Sequence, residues 1–285
     1  MATAAVERVR AGRYETAYHR AGAGHDRAVL FLHGSGPGVS AMANWRFALP
    51  ALGDRYDCIA PDLQGFAASE HPADPPQGLA QWLELWMEQL VGLLDALELE
   101  TVNLVGNSMG GAIALHLASH HPGRFERLVF MGPIGPRFAI SQGLEDCWGF
   151  YRHPDRDLLV RLMRGFVHNP EVLGRDIEAI VAERWDSLMD PVIRRSFESM
   201  FPGDLQEQMD ALSLPDEAVE QIEHPSLVLH GREDPYIPLD TSLYLERHLP
   251  RAQLHVFDRC SHWIQIERRD AFNELLAFFF EGRLD

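Results

Sequence analysis

Apolar residues along this chain fall mostly into short continuous runs, the pattern of strands buried on both faces. Such runs stand at 27–34 (RAVLFLHG), 56–65 (YDCIAPDLQG), 101–106 (TVNLVG), 127–133 (RLVFMGP), 225–231 (PSLVLHG) and 252–258 (AQLHVFD). Ahead of them RYETAYHRAG, at 13–22, alternates weakly and predicts an antiparallel strand. Between the runs the spacing becomes helical, over about 44–53, 79–97, 108–121, 239–248 and 266–281. Strand and helix alternating through short connections predict an α/β fold, a mainly parallel sheet covered by helices on both faces.

The alternation breaks once. From Gly135 to Asp216 no strand-like run occurs, only charged amphipathic pieces interrupted by Pro154, Pro170, Pro191 and Pro202. That is too long for a structureless loop. It predicts a helical lid at 136–216 over one end of the sheet, with the core built from 1–135 and 217–285. There are no internal repeats or low-complexity tracts.

Composition narrows the function. A chain of 285 residues can form one large domain or a core with an appendage. A formal charge of -17 argues against electrostatic binding of nucleic acid or an anionic membrane. Cys58, Cys147 and Cys260 lack CxxC spacing, and their odd number leaves a free thiol, which fits a reducing compartment and gives no zinc pattern. The start MATAAVERVR has no apolar core of a signal peptide, and no run of about 18 apolar residues occurs. The expectation is a cytoplasmic protein without membrane, metal or cofactor.

LVGNSMGGA (104–112) carries the first chemistry. A dinucleotide turn needs G-x-G-x-x-G after the strand, so that the middle glycine lets backbone approach pyrophosphate. Here that position is Ser108, and the HGSGPGVS loop has Val39 in place of the third glycine. G-x-S-x-G is instead satisfied by Gly106-Asn107-Ser108-Met109-Gly110, the pattern of a nucleophile elbow between strand and helix. The same five residues also suit a serine that merely caps a helix. An elbow demands an acid and a histidine, in that order, on loops after later strands. VLHGREDPYIP offers Asp234, with Glu233 beside it, and HVFDRCSHWIQIE offers His262. An acid after the 127–133 run is the other workable position, but Gly132-Pro133 stands there. Oxyanion donors are then expected from the N–H of Met109 and from Ser35 or Gly36 in HGSGPG.

Taken together these stretches resemble the α/β-hydrolase superfamily over nearly the whole chain. HGSGPGVSAMANWRFALPAL (33–52), GNSMGG (106–111), MGPIG (131–135), RW (184–185), PYIPLD (235–240) and LHVFDRCSHW (254–263) are similar to the meta-cleavage product hydrolases. That resemblance implies an eight-stranded, mainly parallel sheet with the helical lid inserted before the seventh strand. It also implies hydrolysis of a carbon–carbon bond in a 2-hydroxy-6-oxohexa-2,4-dienoate by a Ser108–His262–Asp234 triad. Asn44, Asn107, Arg184 and Trp263 match positions lining the family's pocket. The implied partner is a small anionic dienoate, and the implied assembly a homo-oligomer. Two positions depart from the pattern: Ser261 replaces a glycine before the histidine, and DLQGFAAS (62–69) lacks a glycine after its phenylalanine.

Arg184 also stands out without the resemblance. Ile177, Ile180, Val181, Trp185 and Leu188 form one helical stripe, and Arg184 falls on it. An arginine on an apolar face is costly unless an anion or several acceptors meet it. The alternatives are a snorkelling side chain or a pair with a lid carboxylate such as Asp190. Trp263 suits pocket or helix packing equally, and Asn107 suits pocket or turn. For the 6-substituent, the candidate wall is Phe138, Leu144, Trp148, Phe150, Met163 and Phe166. The competing functions are an esterase or amidase with the same triad, a ligand-binding receptor on the same fold, and an NAD-binding reductase.

Overall fold

Side chains of β3 (Ala28–Leu32) are buried without exception, and their alternation sorts them onto two cores. Leu30 and Leu32 point to one face of the sheet, Val29 and Phe31 to the other, as the period of two requires. The computed structural model describes residues 5–284, Glu183 by its backbone alone. Its strands are β1 (Val6–Ala11), β2 (Tyr14–Ala21), β3, β4 (Asp57–Pro61), β5 (Val102–Asn107), β6 (Phe125–Met131), β7 (Ser226–Gly231) and β8 (Ala252–Phe257). They form one eight-stranded sheet in the order β1-β2-β4-β3-β5-β6-β7-β8, antiparallel at β1–β2 and β2–β4 and parallel elsewhere. β1 has no apolar run to announce it. It is an edge strand exposed along most of its length.

Helices α1 (Ala41–Trp45) and α2 (Ala48–Leu52) precede β4, and α3 (Leu79–Ala96) and α4 (Met109–His120) flank β5. The single helix expected over 44–53 is thus two short ones, beginning earlier because the Ser40 hydroxyl accepts from Ala43 N–H at 3.0 Å. Between β6 and β7 come α5 (Gln142–Trp148), α6 (Arg156–Gly165), α7 (Ile177–Leu188), α8 (Pro191–Met200), α9 (Leu205–Asp210) and α10 (Asp216–Glu220). α11 (Leu239–His248) precedes β8, and α12 (Ile264–Glu267) and α13 (Arg269–Phe280) follow it. The expected 266–281 helix is therefore also two, broken at Arg268, where the backbone leaves helical angles.

α3 and α4 cover one face of the sheet with Trp82, Trp86, Leu90, Ile113 and Leu117. α1, α2 and α13 cover the other with Trp45, Leu49, Phe272 and Leu276. The order β4-β3-β5 means that the chain leaves β3 to one side and returns on the other. Loops after β3 and β5 then diverge from adjacent strand ends, Leu32 pairing with Gly106, and leave a crevice there. Among the described residues no helix is long and apolar enough to cross a membrane.

Candidate active site

The turn after β5 carries a non-glycine residue at positive φ. Ser108 holds φ 55° and ψ -118°, a region costing a non-glycine residue on the order of 1–3 kcal/mol. The strain is held from both sides. Ser108 N–H donates to Met131 O at 2.9 Å, and Ser108 O accepts from Gly111 N–H at 2.9 Å and Ile134 N–H at 3.1 Å. The glycines of the motif have steric causes: a Cβ on Gly106 would lie 2.3 Å from Gly110 O, and one on Gly110 would lie 2.6 Å from Leu32 O. The serine makes no capping hydrogen bond to α4. This is an elbow, and the capping alternative fails.

Asp234 lies on the loop after β7, with its side chain almost wholly buried. Its Oδ1 accepts from the N–H groups of Tyr236 and Ile237 at 2.8 and 3.1 Å, and its Oδ2 faces His262 Nδ1 at 2.6 Å. Burial alone would raise this carboxyl. The charge and hydrogen bond of His262, the charge of His230 and the Ile237 N–H outweigh it and hold the group below the ordinary carboxylate range. An ionised carboxylate only accepts, so Nδ1 carries a proton, and in the neutral ring the lone pair is then on Nε2. Glu233, the neighbour, is used elsewhere: its Oε2 accepts from Cys260 N–H at 2.9 Å and its N–H donates to Cys260 O at 3.0 Å, tying the Asp234 and His262 loops together.

The loop after β3 is fastened by buried His33, whose Nδ1 bonds Gly34 O at 2.7 Å while Nε2 accepts from Leu63 N–H at 3.0 Å. Gly34 N–H is taken by Asn44 Oδ1 at 3.0 Å. Ser35 and Gly36 follow at the wall of the crevice, and Ser35 Oγ accepts from Trp148 Nε1 at 2.7 Å. Met109 buries its side chain in the core. What it can offer is its N–H at the start of α4, where helical geometry supplies no acceptor.

One cavity of about 610 Å³, its open mouth included, joins these parts. Ser35, Gly36, Asn44, Asn107, Ser108, Arg184, His262 and Trp263 all line it, while Asp234 and Met109, also expected at the site, do not. Asn44 Oδ1 also accepts from Asn107 Nδ2 at 3.2 Å, which leaves the Asn44 NH₂ as its donor. Asn107 Oδ1 is buried with no protein partner.

Arg184 is half-buried on α7, whose Ile177, Val181 and Leu188 are buried as the stripe requires. Asp190, the suggested partner, instead caps α8 by accepting from Val192 N–H at 2.8 Å. A second arginine is close: burial and the charge of Arg184 push the Arg46 guanidinium down from its ordinary value. Arg184 is the arginine that lines the cavity.

Of the wall candidates, Met163 and Phe166 line the cavity. Phe138, Leu144, Trp148 and Phe150 do not. They pack within the helical layer, except that Trp148 reaches Ser35. Leu159, Leu162 and Leu188 line it too and were missed, as were Pro37, Val39 and Ala43 of the loop after β3 and the start of α1. The first two share one face of α6 with Met163 and Phe166, a spacing visible in sequence. Among the described residues no three His, Cys, Asp or Glu side chains group as a metal site.

Comparison with known proteins gives the family and the fold. Residues 27–269 match the family model described as alpha/beta hydrolase fold. The chain is 41% identical to the 2-hydroxy-6-oxo-2,4-heptadienoate hydrolase of Pseudomonas putida F1, over 95% of this chain and 94% of that one. It is 43% identical to the 2-hydroxymuconate semialdehyde hydrolase of Pseudomonas sp. strain CF600, over 93% and 89%. Among solved structures, a serine hydrolase from the polyaromatic hydrocarbon-degrading bacterium Cycloclasticus zankles superposes with a TM-score of 0.96 at 45% identity, covering 99% of both chains.

Proposed function

Because this chain belongs to the α/β-hydrolases and, within them, to the meta-cleavage product hydrolases, we propose that it hydrolyses the C5–C6 bond of a 2-hydroxy-6-oxo-2,4-dienoate with Ser108, His262 and Asp234. The observation that carries this reading is one cavity bounded by a strained serine and an acid-paired imidazole, with Arg184 on its wall. The 6-substituent in our reading is hydrogen or methyl, as in the compounds named for the two Pseudomonas relatives.

A carbon leaving group must depart as a stabilised dienolate rather than as a bare carbanion. Arg184 and the NH₂ of Asn44 hold the carboxylate and 2-oxygen while the dienol is ketonised, with His262 carrying the proton to carbon C5. His262 Nε2 then takes the Ser108 proton, and Oγ attacks C6. The N–H groups of Met109 and of Ser35 or Gly36 receive the oxyanion. C5–C6 cleavage expels the dienolate, which is protonated to 2-hydroxypenta-2,4-dienoate. Water, deprotonated by the same imidazole, releases formate or acetate from Ser108. The residues of 136–216 act as a lid, and the working form is a cytoplasmic homo-oligomer.

Loss of the dienoate's visible absorbance, with both products identified, tests this reading. Turnover of neutral esters without any attack on the dienoate would replace it with the esterase reading.

A further inference from the structure

The helical layer is bonded to the triad loops at the end of α6 and the residues just beyond it, and again at the start of α5, where Ser141 Oγ donates to Tyr236 O at 2.7 Å. Ser261 Oγ donates to Gly165 O at 2.7 Å, and Trp263 N–H donates to Phe166 O at 2.9 Å. From the acid loop, Tyr236 Oη donates to Leu162 O at 2.6 Å. The Phe166 ring is stacked between Tyr236 and Trp263, at centroid distances of 4.4 and 4.6 Å, and stands 5.8 Å from the His262 ring.

Glu267, the last residue of α12, gathers this region. Its Oε2 accepts from Ser261 N–H at 2.7 Å, while Oε1 accepts from His168 N–H at 2.8 Å and Asn169 N–H at 3.0 Å. One carboxylate thus bridges the residue before His262 to the segment that follows the cavity-lining Phe166. Three converging N–H groups need an acceptor with lone pairs on both sides, which an ionised carboxylate supplies and an amide does not. α7, by contrast, is reached through the exposed, left-handed Gly174.

We propose that Glu267 is a positioning residue for the reaction: it locks the 165–169 segment and the 260–263 loop in one register, so that the Phe166 wall and the His262 imidazole stay aligned over Ser108. This rests on the triad reading above. Ser261, the departure from the family's glycine, adds one more bond to the same lock.

The test uses the full chain with Glu267→Gln, Glu267→Asp and Ser261→Ala, read by kcat per folded molecule, KM and amide exchange. With 2-hydroxy-6-oxohepta-2,4-dienoate, Glu267→Gln should lower kcat by about 10- to 100-fold with little change in KM, because sub-ångström misplacement of a catalytic group acts on the chemical step. Glu267→Asp, which keeps the charge, should recover part of that loss, and Ser261→Ala should show a smaller loss of the same kind. Exchange at His168 and Asn169 should quicken in Glu267→Gln. A lower melting temperature with wild-type kcat per folded molecule would make Glu267 merely structural and overturn the proposal. Should Glu267→Gln not fold, unchanged kcat in the other two variants overturns it equally. Wild-type enzyme inert toward the dienoate would sink the functional reading instead, while exchange still reports on the lock.

Discussion

His262 Nδ1 lies 2.6 Å from Asp234 Oδ2 inside a wall that leaves neither side chain more than a few percent exposed. The contact fixes which ring nitrogen is left for the proposed role as base. Asp234→Asn keeps the shape but presents an NH₂ or a neutral oxygen, so the imidazole is held in the wrong tautomer. We expect kcat to fall by roughly 10⁴-fold, the loss met when this orienting acid is neutralised in a serine triad. Folding measured by circular dichroism should be unaffected, and retention of more than a tenth of the activity would contradict the assignment.

In the proposed reading, Arg184 is the residue that distinguishes carbon–carbon hydrolysis from ordinary ester hydrolysis. Arg184→Ala should weaken kcat/KM for the dienoate by about 10²-fold, the scale of a lost charge-assisted contact of 2–3 kcal/mol. Hydrolysis of a neutral activated ester should change little. Equal losses on both substrates would make the arginine a structural element of α7.

Gly132 occupies the position where another acid could have stood. It has φ +48°, and a Cβ there would lie 3.1 Å from both Cε1 and Nδ1 of His262. Gly132→Ala should cost about 1–2 kcal/mol of stability from the left-handed backbone and lower kcat by at least about tenfold through the displaced ring. Thermal melts and kinetics on the same preparation check both. A variant with wild-type kcat would mean that the ring has room to spare.

Cys58, Cys147 and Cys260 are free and buried, and none lines the cavity. Burial pushes Cys147 up to about 12, and raises Cys58 and Cys260 as well. Iodoacetamide near neutral pH should therefore leave the native enzyme active, since the thiolate is the reactive form. Inactivation that substrate prevents would place a reactive cysteine in the cavity.

Much of this was legible before the structure. Ser108, Asp234 and His262 each follow an apolar run, and a strand buried on both faces leaves no doubt where its loop begins. Arg184 was legible because a charge interrupts an apolar stripe. β1 was not, because only Val9 and Ala11 of this edge strand meet the core and the rest is exposed, which leaves no clear hydrophobic period. The wall was only partly read: Phe150 and Trp148 are as apolar as Phe166, and hydrophobicity does not tell which helix face meets the cavity and which meets its neighbours. Glu267 left no signal at all. Its partners are backbone N–H groups from a distant segment, and in sequence it is one acid among forty-two Asp and Glu residues.

The central claim is that the Ser108 hydroxyl attacks the 6-oxo carbon. It is tested most directly by mixing wild type and Ser108→Ala with 2-hydroxy-6-oxohepta-2,4-dienoate in a stopped-flow spectrometer and analysing the products. Wild type should bleach the colour and yield acetate with 2-hydroxypenta-2,4-dienoate. Ser108→Ala should bind the coloured substrate yet cleave it at least about 10⁴-fold more slowly. Cleavage by Ser108→Ala at a rate near wild type would contradict the account.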